Sequence, residues 1–119
     1  TGDRNETGAH GNVMNLPLPP HTAGDGFRRV WEAHGLPTLD AFAPEMVVIS
    51  AGFDAHEKDP LAQLSLREAD FAWITEALCD LADTHAGGRV VSTLEGGYDL
   101  DALAASTAAH VEVLMRRGQ

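Results

Sequence analysis

Two short apolar runs, Met46-Val47-Val48-Ile49 and Val90-Val91-Ser92-Thr93-Leu94, stand on either side of a long stretch with helical periodicity. Runs of this kind, rich in β-branched residues and bounded by turn formers, read as strands. The first is continuously apolar, as expected of a strand covered on both faces in a parallel sheet. Two strands joined through a helix pair in parallel, with a right-handed crossover. The order predicts an α/β fold with an open parallel sheet and flanking helices, with strands over 46–50 and 90–94.

The intervening helix has a clear start, because Ser65 followed by Glu68 predicts a capping box. Phe71, Ile74, Leu78 and Leu81 mark its core face, and Gly87 and Gly88 end it. Leu100, Leu103, Thr107, Val111 and Leu114 pattern a last helix, with Arg116 and Arg117 suited to its negative C-terminal end. Upstream, residues 1–11 read as loop. The alternation over 12–18 reads as a short strand ended by Pro17, Pro19 and Pro20. Phe27, Val30, Trp31 and His34 read as one face of a helix capped by Asp25 and stopped by Gly35.

In open parallel sheets, reacting groups collect beyond the carboxyl ends of the strands. The first strand runs through Gly52 and Phe53 into Asp54, and the second through Glu95, Gly96 and Gly97 into Tyr98. Both ends fall on one edge of the sheet, so one crevice can hold both side chains. Paired glycines let the backbone approach a ligand closely, and a phenol O–H can stabilise a developing oxyanion. Spacing alone favours a plainer account, a glycine turn with a tyrosine packed at a helix start.

Composition removes several function classes. A chain of 119 residues supports one domain with a modest core. Its net charge of −10, with only eight Lys and Arg, argues against binding nucleic acid. No apolar stretch is long enough to span a membrane and no leader opens the chain, so it reads as soluble and cytoplasmic. The lone Cys79 reads as a buried core thiol. Neither glycine-rich phosphate-binding pattern occurs, which leaves a nucleotide-binding reading weak.

Taken together, Ser50-Ala51-Gly52-Phe53-Asp54-Ala55, Asp59-Pro60-Leu61 and Leu94-Glu95-Gly96-Gly97-Tyr98 resemble the C-terminal part of the histone deacetylase superfamily. The likeness is to its class II and bacterial members, including acetylpolyamine amidohydrolases and acetoin-utilisation proteins. Gly11-Asn12-Val13-Met14-Asn15-Leu16-Pro17-Leu18-Pro19 resembles the family's preceding strand. The resemblance implies an arginase–deacetylase-like fold and Zn²⁺-dependent hydrolysis of an acetyl amide, with an acetylated protein lysine or small polyamine as substrate. It makes Asp54 a metal ligand and Tyr98 the catalytic donor that polarises the acetyl carbonyl. Gly96 and Gly97 would line the acyl pocket, and Leu61 the tunnel that receives the acylated side chain.

The chain also departs from that pattern. It has no His-His pair, and none of His10, His21 and His34 has an Asp two residues before it. A catalytic zinc needs three protein ligands, and Asp54 supplies one. Asp54-Ala55-His56 spells Asp-x-His, but it stands where the family has its second aspartate, so His56 is read as a loop residue near the tunnel rim. Asp59 before Pro60 is read as fixing a turn, and Glu95 is left without a role. Residues 1–119 thus read as the C-terminal part of a single deacetylase-like domain, inactive alone; the rival reading is a non-catalytic interaction module. A sheet edge left open in such a piece invites self-association.

Overall fold

The computed structural model describes residues 2–118. In chain order they form α1 (Gly24–Val30), a π turn (Trp31–Gly35), α2 (Leu36–Phe42), β1 (Val47–Ala51), α3 (Glu68–His85), β2 (Val90–Leu94) and α4 (Leu100–Arg117). The strands pair in parallel, from Val47 opposite Val90 to Ala51 opposite Leu94. The α/β class and the parallel pairing follow the sequence reading.

Several local expectations do not. The 12–18 segment is not a strand; prolines at 17, 19 and 20 remove ladder donors, and no described strand lies beside it. Gly35 does not stop the first helix. A Cβ there would stand 2.4 Å from the Trp31 ring, so this glycine permits a close ring contact while the chain turns on into α2. The run ends at Phe42, where Ala43 takes φ 53°. Asp25 lies in the first turn of α1, and the preceding Ala23 holds the cap position. The capping box at α3 shifts by two residues: Asp70 Oδ2 accepts the Arg67 N–H at 3.0 Å. Ser65 cannot serve, because its backbone donates to the Thr22 carbonyl at 3.0 Å, and Glu68 reaches out to His56 instead.

Two apolar clusters make the core. Val47, Leu81, Ala82 and Ala86 gather at one end of the sheet, and Ala51, Phe53, Leu66 and Phe71 at the end that carries the strand termini. Burial of each large side chain contributes roughly 1.5–3 kcal/mol. β1 is covered on one face only, since Val48 is 65% exposed and its cross-strand neighbour Val91 48% exposed. The expectation of two covered faces therefore fails for the described residues. The inner face of α4 is turned from the predicted one, of which Leu103, Thr107 and Leu114 stay half-buried. Ala102, Ser106, His110 and Val113 are buried, whereas Leu100 and Val111 are exposed. Small and polar side chains at that spacing let α4 lie close against α3. Arg117 closes the pair by ion pairs to Glu76, Asp80 and Asp83, and these hold its guanidinium firmly charged. Cys79 is buried as expected, and burial pushes its thiol up.

Candidate active site

The β1–β2 ladder does not stop at the strand ends. Glu95 donates to the Ala51 carbonyl at 2.9 Å, and Phe53 donates to the Gly96 carbonyl at 2.8 Å. These two bonds lay the 52–54 and 95–98 segments side by side beyond the sheet. Phe53 turns inward, 3% exposed, with its ring edge-on to Phe71 at 5.1 Å and to His110 at 5.7 Å. The chain then turns, with the His56 N–H bonding the Phe53 carbonyl at 3.2 Å, and Asp54 stands in that turn.

The Asp54 carboxylate lies between two glycines. A Cβ at Gly52 would stand 3.0 Å from its Oδ1, and a Cβ at Gly96 would stand 3.2 Å from its Oδ2. The same Gly96 position is 3.4 Å from the Tyr98 hydroxyl. A carboxylate and a phenol thus converge on one small space that only the lack of a side chain at residue 96 leaves open. Asp54 is half-buried and has no hydrogen bond or ion pair among the described residues. An oxygen donor held near the surface without a protein partner suits a metal ion. Gly97 takes φ +148°, in the region that favours glycine, and swings the backbone from the ladder into Tyr98. Asp99 then caps α4 by accepting the Ala102 N–H at 2.8 Å.

The loop between β1 and α3 is pinned to this site. Its Leu66 N–H bonds the Ala55 carbonyl at 3.0 Å, and its Glu57 N–H bonds the Leu66 carbonyl at 2.9 Å. Asp59 does more than fix a turn. Oδ1 accepts the Leu61 N–H and Oδ2 accepts the Tyr98 N–H, each at 2.9 Å. Desolvation pushes its carboxyl up, but backbone N–H groups of Leu61, Tyr98, Ala62 and Asp99 outweigh that and hold it below the ordinary value. Leu61 itself is 64% exposed, its backbone held by Asp59.

His56 is buried, not at a rim. Its Nδ1 accepts the Lys58 N–H at 3.1 Å, which makes Nε2 the protonated nitrogen that donates to Glu68 at 3.1 Å. Both ring nitrogens are thereby engaged away from Asp54. Among the described residues no three His, Cys, Asp or Glu side chains come together as a metal site. Asp54 fits zinc as one ligand, and the described chain does not complete the set. No described helix is long and apolar enough to cross a membrane.

The likeness to known proteins covers nearly all of the chain. Residues 1–114 match the profile described as "Histone deacetylase domain". Type-2 histone deacetylase 1 of Dictyostelium discoideum is 40% identical over 110 residues, spanning 92% of this chain and 7% of that protein. The histone deacetylase-like amidohydrolase of Pseudomonas aeruginosa is 38% identical over 96 residues, 81% of this chain and 25% of that one. The crystal structure of the HDA15 HD domain superposes with a TM-score of 0.88 at 34% identity, covering 98% of this chain and 33% of that one. An acetylpolyamine aminohydrolase from Burkholderia pseudomallei gives 0.82 at 27% identity, over 96% of this chain and 32% of that one. This chain therefore spans a third or less of the length of these relatives.

Proposed function

The chain belongs to the histone deacetylase family, and we propose that it supplies one wall of a zinc-dependent site that hydrolyses an acetyl amide on an amine such as a protein lysine or a polyamine. The observation that carries this reading is the convergence of the Asp54 carboxylate and the Tyr98 hydroxyl on the open face of Gly96. When bound, zinc supplies Lewis-acid activation of water and of the acetyl carbonyl. Asp54 would be one of its ligands, with the other two from sequence outside these 119 residues, so this segment alone is inactive. Gly96 and Gly97 keep the acyl space free of side chains. Leu61 offers apolar wall to the methylene chain that carries the amide. Tyr98 donates its O–H to the carbonyl oxygen as charge develops there, a contribution a neutral phenol makes without ionising.

The test is Tyr98→Phe in the complete protein that carries this segment. Hydrolysis of acetyl-lysine and acetylpolyamine substrates should fall by about 10²–10³, the usual worth of one oxyanion donor. Zinc content should not change. Unaltered turnover would remove Tyr98 from the reaction.

A further inference from the structure

We infer that Asp59 is a positioning residue for the reaction: one carboxylate ties the Tyr98 backbone to the Leu61 backbone, so that the carbonyl donor and the wall facing the substrate chain are held as a unit. The inference rests on the reading of Tyr98 as that donor. Oδ1 takes the Leu61 N–H and Oδ2 the Tyr98 N–H, both at 2.9 Å, with Tyr98 lying 39 positions after Asp59 in sequence. Among the described residues no other hydrogen bond to the Tyr98 N–H does this work. On its N-terminal side the Tyr98 loop is fixed through Gly96, whose carbonyl accepts from Phe53, and on its C-terminal side through Asp99, which caps α4. Tyr98 lies between those anchors, after a glycine at φ +148°, and is 57% exposed. A charge-assisted bond to its own N–H fixes the peptide plane from which that side chain departs. Reacting groups lose on the order of 10²-fold in rate when displaced by about 1 Å, so a small rotation at residue 98 matters.

Asp59→Asn separates this role from a merely structural one. The amide keeps one acceptor oxygen and turns an N–H₂ toward the other backbone donor, so one of the two bonds is lost and replaced by repulsion. In the complete protein, kcat should fall by about 10–100-fold with zinc content unchanged. The same change in the Tyr98→Phe background should alter kcat by less than about twofold, because the group being aimed is already gone. Amide hydrogen exchange should accelerate in Asp59→Asn at Tyr98 or at Leu61, whichever N–H faces the new amide nitrogen. Asp59→Glu, which keeps the charge but moves it by one methylene, should lower kcat in the same direction. A full additional fall of kcat in the Tyr98→Phe background, or unchanged exchange at both Tyr98 and Leu61, would overturn the assignment. A wild-type protein that hydrolyses no acetyl amide would overturn the functional reading instead, and the exchange measurement would still decide whether Asp59 holds the loop.

Discussion

Gly96 and Gly97 adjoin in sequence, yet they are glycines for different reasons. A Cβ at Gly96 would enter the space shared by the Asp54 carboxylate and the Tyr98 hydroxyl, at 3.2 and 3.4 Å. Its backbone lies outside the left-handed region, so in the complete protein Gly96→Ala should change stability by no more than about 1 kcal/mol while the proposed amide hydrolysis falls at least about tenfold. Gly97 combines φ +148° with a Cβ position 2.7 Å from Leu103 Cδ1 on α4. Gly97→Ala should therefore cost about 1–3 kcal/mol in folding, seen as a lowered Tm. Thermal unfolding and turnover measured on both variants decide the matter, and equal losses of stability would refute the distinction. The resemblance drew attention to both residues, since strand, glycine pair and tyrosine are adjacent letters. It could not show Asp59 reaching Tyr98, because a side chain bonding a backbone N–H 39 residues away leaves no pattern in the chain.

Among the elements, α3, β2 and α4 are tied together by a buried histidine that periodicity did not flag. Thr75 on α3 donates its one hydroxyl proton to the Phe71 carbonyl at 2.6 Å. Its oxygen must then accept from His110 Nδ1, 2.7 Å away, which leaves Nε2 to accept from the Ser92 hydroxyl of β2 at 2.8 Å. The imidazole is thus neutral with a set tautomer, and burial holds it below the ordinary value of 6.5. The sign follows: an unfolded chain takes up a proton near 6.5 that the folded one refuses until lower pH. Stability from this group is complete above about 6.5 and is lost as pH falls below it. Tm should drop between pH 7.5 and 5.5, and His110→Asn, less stable overall, should show a flatter profile over that range. Parallel profiles would exclude His110 as the cause. The carboxylates Glu68 and Glu76, each held below 4.5 by hydrogen bonds, act only at more acid pH. The strands and the two long helices were legible because their residues repeat at fixed periods. The face of α4 was misread because its contact is made by Ala102, Ser106 and His110, which apolar patterning does not count.

At the scale of the whole molecule, two forces oppose each other. One face of the sheet exposes Val48 and Val91, which are opposite partners across the ladder, and an apolar cleft of about 530 Å³, lined by Trp31, Phe42, Met46 and Val48 among others, runs beside β1. Both edges of a two-stranded sheet carry unpaired backbone groups. Such surfaces favour association with a second copy, whereas a net charge of −10 on every copy opposes it. Charge repulsion is screened over about 8 Å at physiological ionic strength, and apolar contact is not weakened by salt. The 119-residue chain should therefore self-associate in a manner that strengthens when salt is raised from about 0.01 to 0.15 M. The paired change Val48→Lys with Val91→Glu places opposite charges directly across the ladder, a favourable pair, while removing the apolar surface. Sedimentation across concentration should show that variant monomeric where the parent chain associates. A parent chain that stays monomeric at both salt levels would mean that its own charge outweighs the bare face.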